Sequence, residues 1–151
     1  MRRTSVLTLC IFVCLIAATT AADLYQVVIS NKAQADVLRT AQVDPLMPVS
    51  KGYLVLTETA VAERLRAAGV FTNQLAAAIT RDEIALDLRK DDVNLDRLDV
   101  LFQEDQVRVY RVEPSIWANK SMETSIRPLP KQPVPIFFDE PSRAPSIDAA
   151  A

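Results

Sequence analysis

The chain has 151 residues, half of them hydrophobic, with 17 basic and 19 acidic side chains, two cysteines and no histidine. Both cysteines, Cys10 and Cys14, lie within the first 22 residues, so a chain that loses this segment can build neither a Ser-His-Asp or Cys-His arrangement nor the usual zinc site. A net charge of -2 without clustered Lys and Arg argues against a nucleic-acid or anionic-membrane partner.

Residues 1–22 have the layout of a secretory signal peptide. Met1-Arg2-Arg3 is cationic, Val6 to Ala18 is apolar apart from Thr8, and small residues run on to Ala22. The apolar core is shorter than the about 20 residues a retained anchor needs. Leu9 and Val13 stand where a lipid-modified cysteine would be preceded by a small residue. Cleavage near Ala22, or one residue earlier, predicts a secreted or periplasmic protein that begins near Asp23 and has no membrane span. The remaining 129 residues carry a charge of about -4 and no cysteine for a disulfide, so packing in one modest core must supply the stability.

From Leu24 to Ile29 branched and aromatic residues predict a strand. Asn31 and Gln34 have capping-box spacing, and Ala33, Val37, Leu38 and Ala41 recur at helical spacing before Pro45. Val43 to Val49 fits a strand only at a sheet edge, because Pro45 and Pro48 cannot donate to a ladder. Ser50-Lys51-Gly52 turns into a strand over Tyr53 to Thr57. Thr59 is placed to cap a helix with Val61, Leu65 and Ala68 on one face, and Gly69 supplies its left-handed end. Val70 and Phe71 open an extended segment towards Ile79. Strand, helix, strand, strand, helix, strand is the split βαβ order of ferredoxin-like folds.

Beyond that unit, Ile84, Leu86 and Leu88 alternate with Glu83, Ala85, Asp87 and Arg89 as in a half-buried strand. Leu98 to Gln103 and Gln106 to Val112 predict a hairpin across Glu104-Asp105, with a helix over 93–102 as the competing reading. The expected fold class is α+β: a signal peptide at 1–22, then over 23–113 a ferredoxin-like βαββαβ sandwich with a C-terminal β extension, then a proline-rich tail or linker, largely disordered, at 114–151. Seven of the nine prolines lie in that last stretch, and residues 127–135 read as extended polyproline-type backbone. Phe137 and Phe138 are costly to leave in water, so they either dock on the domain or form a short binding segment. Trp117 reads as a docking contact.

No catalytic, cofactor-binding or metal-ligating residue is expected, and the chain reads as a non-enzyme. Asp82, Glu83, Asp87, Asp91, Asp92, Asp96 and Asp99 are interleaved with Arg81, Arg89, Lys90 and Arg97, the pattern of a solvated mixed-charge surface. A calcium loop would need a turning glycine there. Gly52 and Gly69 are too isolated for a phosphate loop, and Ser50-Lys51 sits at a turn. Asn119-Lys120-Ser121 fits the glycosylation acceptor pattern.

The strands carry apolar residues on both faces: Tyr25, Val27 and Ile29 opposite Leu24 and Val28, and Tyr53 and Val55 opposite Leu54 and Leu56. Two helices cover only one side of a small sheet, so the second face must be covered by the 80–113 extension, by the tail or by another protein. The candidate protein-binding residues are Leu24, Val28, Leu54, Leu56, Phe137 and Phe138.

These segments resemble a known family. Leu24-Tyr25-Gln26-Val27-Val28-Ile29, a helix, Gly52-Tyr53-Leu54-Val55-Leu56 and Leu65-Arg66-Ala67-Ala68-Gly69-Val70, followed by a proline-rich exit, look like the N-terminal proregion of secreted peptidases. They are most similar to proregions that precede zinc aminopeptidase domains, and the strand order also resembles the propeptides of subtilisin-like proteases. The resemblance covers roughly residues 23 to 80. It implies a folding aid or inhibitor that lays a sheet face and a C-terminal strand across a secreted peptidase or another exported protein. With no peptidase domain in the sequence, the resemblance implies a stand-alone or truncated relative whose enzyme would have to act in trans. The alternative is an envelope-associated structural or interaction module without a peptidase partner.

Overall fold

The computed structural model describes residues 21–87, 98–104, 107–118 and 126–138. Residues 1–20 of the expected leader, the acceptor pattern at Asn119, the carboxylates Asp91, Asp92 and Asp96 and the chain end lie outside the described residues, whereas Ala22 of the expected leader opens the first strand. The fold is mixed α+β, with two helices and two four-stranded antiparallel sheets.

The first sheet is built from β1 (Ala22–Val28), β2 (Asp44–Val49), β3 (Gly52–Thr57) and β4 (Phe71–Ile79), in the order β2-β3-β1-β4 with every pairing antiparallel. Helix α1 (Lys32–Thr40) joins β1 to β2, and α2 (Thr59–Ala67) joins β3 to β4. As its prolines require, β2 lies at an edge.

Local chemistry sets the helix ends. The Asn31 side chain accepts from the Gln34 N–H at 2.9 Å, and the Gln34 side chain accepts from the Ser30 N–H at 2.7 Å. Gly69 ends α2 with φ +81°, as a left-handed glycine does. Its carbonyl accepts from the Gln34 side chain at 2.9 Å, which ties the end of α2 to the start of α1.

Three local expectations are corrected. Thr59 is the first helical residue rather than the cap, and the cap position belongs to Glu58; the Thr59 hydroxyl instead donates to Asp23 at 2.7 Å. The inward residues of α1 are Ala35 and Leu38, with Ala33 exposed. In α2 they are Val61, Ala62 and Leu65, with Ala68 exposed.

The second sheet is built from β5 (Ile84–Asp87), β6 (Asp99–Glu104), β7 (Val107–Arg111) and β8 (Arg127–Pro128), in the order β6-β7-β5-β8. The expected hairpin is present, with Glu104 opposite Val107. The described part of the competing helical segment, 98–102, is strand or bend. All four residues of β5 are buried, so it is a central strand covered on both faces rather than a half-buried one.

Three apolar clusters hold the layers together. On the helix side of the first sheet, Tyr25, Val27, Tyr53 and Val55 meet Ala35, Leu38, Ala62 and Leu65. Between the sheets, Leu24, Leu54, Leu56 and Ile79 meet Ile84, Leu86, Val109 and Leu129. Outside the second sheet, Ala85, Tyr110, Val112 and Ile126 are capped by Ile116 and Trp117. This layering buries the odd and the even residues of the same strands, which is why those strands read as apolar on both faces. No helix among the described residues is long and apolar enough to cross a membrane.

Candidate functional site

The sheet face expected to bind a partner is closed by this chain. Leu24, Leu54 and Leu56 are 0%, 1% and 8% exposed and lie in the core between the two sheets. The physical reason is that the 80–113 extension folds into a sheet with an apolar face of its own. Val28 is half-buried at the end of β1, between Gly52 and Phe71. These four residues form no accessible patch.

Phe137 and Phe138 are adjacent in sequence but face opposite ways. Phe138 packs with Val134 and Ile136 against the helix-side cluster, whereas Phe137 is 68% exposed. Main-chain bonds hold this part of the tail. The Val134 N–H donates to the Pro45 carbonyl at 3.1 Å, and Arg39 Nε donates to the Ile136 carbonyl at 3.0 Å. The Tyr53 hydroxyl accepts from the Phe137 N–H at 2.7 Å and donates to the Phe137 carbonyl at 3.1 Å. Further back, Ile126 and Leu129 are buried and β8 pairs with β5. Within the stretch read as tail or linker, residues 126–138 are therefore packed on both sheets. The sequence signal was the spacing of Val134, Ile136 and Phe138, which alternate with Pro135 and Phe137.

Several of the described carboxylates are engaged in structure, whereas Asp82 and Asp99 are exposed. Asp23 accepts from Thr59, from the Ala78 N–H at 3.0 Å and from the Tyr25 hydroxyl at 3.4 Å. The Thr59 bond, then the Ala78 bond, holds its carboxyl below the ordinary value. Glu83 accepts from the Thr80 N–H at 2.8 Å, its hydroxyl at 2.9 Å and Arg111 at 3.2 Å. Its carboxyl is also lowered, first by the Thr80 N–H. Asp87 is buried, which corrects its placement on a solvated surface. Arg81 Nη2 donates to both Asp44 carboxylate oxygens, at 2.6 and 2.8 Å, and Nη1 donates to the Pro130 carbonyl.

Ser50 is occupied by Glu104, which accepts from its hydroxyl at 2.7 Å and from its N–H at 3.1 Å. Trp117 Nε1 donates to the Asp82 carbonyl at 2.7 Å. Among the described residues no group of three His, Cys, Asp or Glu side chains is placed to hold a metal ion.

The edges of the first sheet differ from each other. β2 carries Pro45 and Pro48 and is bonded by Val134. β4 runs for nine residues without a charge or a proline, ends the sheet and pairs only with β1 among the described strands. Phe71, at its start, is 61% exposed, and Asn73 and Gln74 are exposed as well. Such an edge is open to strand addition. Sequence reasoning missed it, although an uncharged last strand in a βαββαβ unit was a usable sign.

Compared with known proteins, the chain matches no family model, no curated protein and no solved structure.

Proposed function

We propose that the chain is an exported, non-catalytic protein-binding domain built on a ferredoxin-like unit over residues 22–79, and that it acts on a secreted peptidase in the manner of a proregion. Two features support the ferredoxin-like reading: the order β2-β3-β1-β4 with all pairings antiparallel, and the two crossover helices, α1 and α2. The observation that carries the binding reading is the uncharged outer edge of β4, which no further described strand pairs, beside the exposed Phe71. An extended segment of a partner added there would gain main-chain hydrogen bonds and an aromatic contact. A proregion that uses its sheet face has no counterpart here, because that face is core, so the edge replaces it as the docking element.

The test is retention from the exported fraction of the source cells. Immobilised protein is expected to retain a peptidase and, when added in excess, to lower its activity, while the Phe71→Lys/Asn73→Lys double variant does neither. Absence of a retained peptidase, or equal retention by the variant, overturns the reading. Retention of an envelope component alone would favour a structural module instead.

A further inference from the structure

We propose that the groove on the helix side of β2 and β3 is a peptide receptor, and that residues 134–138 are its resident occupant, exchangeable for an extended segment of a partner protein with apolar side chains at every second position. The proposal rests on the protein-binding reading above and gives it a partner chemistry, at a site separate from the β4 edge.

The groove reads main chain. Pro45, Arg39 and Tyr53 bond to the Val134 N–H, the Ile136 carbonyl and both polar atoms of the Phe137 backbone. None of these contacts depends on the identity of the bound side chains, which is how strand-reading receptors gain affinity. Selectivity comes from the inward positions: Val134, Ile136 and Phe138 pack on the cluster containing Ile29, Tyr53 and Leu38. Pro135 falls between them, where the contacts described use no backbone N–H, and proline stiffens the segment in an extended form that costs little to order.

The resident segment is held less completely than residues 126–129. Ile126 and Leu129 are buried upstream, but Lys131, Gln132 and Pro133 are exposed and can act as a hinge. Beyond them, a cleft of about 230 Å³ lies between Phe137 and Phe138 on one side and Ile29, Pro48 and Tyr53 on the other. Phe137 spends a large apolar side chain on solvent. A second copy of the chain offers only the same segment, and a tethered segment has an effective concentration of the order of millimolar. The chain's own tail therefore wins against another copy's, and only a foreign segment with better-fitting side chains displaces it.

The test uses the full chain and a fluorescent peptide with the sequence of residues 131–138. Ile136→Asp should undock the tail and leave the groove open. By anisotropy the peptide is expected to bind this variant at least tenfold tighter than wild type. It should lose at least fivefold when Tyr53→Phe is added, and a peptide with Asp at the three inward positions should not bind. Far-UV circular dichroism checks that each variant is folded, with Phe138→Ser as the milder undocking variant if Ile136→Asp is not. No binding to either undocked variant, binding indifferent to Tyr53→Phe, or a wild-type dimer that the peptide converts to monomer each overturns the proposal. Peptidase retention needs none of these residues. Failure here with retention intact removes the groove alone, and peptide binding without retention removes the edge alone.

Discussion

The Asp23 carboxylate accepts a hydrogen bond from the backbone N–H of Ala78 at 3.0 Å, and Ala78 has a left-handed backbone at φ +48°. The β1 to β4 register shifts next to this point, between Ala22 and Leu24 and again between Leu24 and Tyr25. One carboxylate thus holds an irregular strand end and, through Thr59, the first turn of α2, where negative charge is also favoured by the helix dipole. Asp23→Ala is expected to cost about 1.5–3 kcal/mol in urea unfolding, the range for hydrogen bonds to a charged group. Ala78→Gly should be neutral or stabilising by about 0.5 kcal/mol, because glycine adopts this backbone without strain. A strongly destabilised Ala78→Gly variant would show that the Ala78 methyl, rather than its backbone, matters.

Acid should weaken the fold through two carboxylates. Asp23 and Glu83 are held below their ordinary values of 3.8 and 4.5, the first mainly by Thr59 and the second mainly by the Thr80 N–H. A depressed value in the folded state means that folding favours the charged form. The contribution is complete above the unfolded values and is lost as pH falls through the lower folded ones. The urea midpoint should therefore fall below about pH 4.5. The Asp23→Asn/Glu83→Gln variant should start lower at pH 7 and show a shallower acid slope. Parallel slopes for the two proteins would assign the acid sensitivity to other groups.

Arg81 links three segments, since its guanidinium holds Asp44 on β2 and the Pro130 carbonyl in the tail while it sits at the junction between β4 and β5. The guanidinium spreads these bonds over two nitrogens, Nη2 to the Asp44 carboxylate and Nη1 to the Pro130 carbonyl, which an ammonium must span from one nitrogen. Arg81→Lys is expected to cost about 1 kcal/mol, and a double-mutant cycle with Asp44→Asn should give a coupling of similar size. Additive effects would mean that the pair contributes nothing beyond its separate contacts.

The features legible in sequence were those decided within a few residues. The Asn31 cap, the left-handed Gly69 and the edge position of a strand with Pro45 and Pro48 follow from hydrogen-bond donors and backbone angles at those residues. The surplus apolar face of the first strands was legible too, but not what covers it, because Leu24 and Leu86 meet only through tertiary packing. Ala85 stands between Ile84 and Leu86, where alternation points it to solvent, and nothing local says that Tyr110 and Ile126 will bury it. Thr59 has the chemistry of a cap, and only the distant Asp23 takes its hydroxyl away. Nor does anything local show that residues 126–138 pack: prolines remove ladder donors, yet leave the carbonyls and side chains that dock.

The core between the sheets makes Leu54 a stability residue. Leu54→Ala should cost about 3 kcal/mol, as for a fully buried leucine, and Leu54→Asp should abolish cooperative unfolding. Loss of partner retention by Leu54→Asp would then be a folding effect, and Phe71 is the residue at which the proposed binding can be tested apart from stability. Phe71→Ser should change stability by no more than about 0.5 kcal/mol, as exposed sites do. A Leu54→Ala variant as stable as wild type would mean that the two sheets do not pack through this face.

Trp117 is the chain's single tryptophan and covers the outer face of the second sheet, so its fluorescence reports on that layer alone. Trp117→Phe keeps an aromatic ring over Tyr110 and Ile126 but removes the bond to the Asp82 carbonyl, for an expected cost of about 1 kcal/mol. In the wild type, unfolding followed by fluorescence and by far-UV circular dichroism should give one transition. Ala85 and Tyr110 face Trp117 from the same two strands, β5 and β7, that send Leu86 and Val109 into the core between the sheets. The outer layer cannot lose its support while those strands remain paired, nor can the strands separate without exposing the tryptophan. A fluorescence transition at distinctly lower urea than the dichroism transition would show that the cap opens as an independent unit.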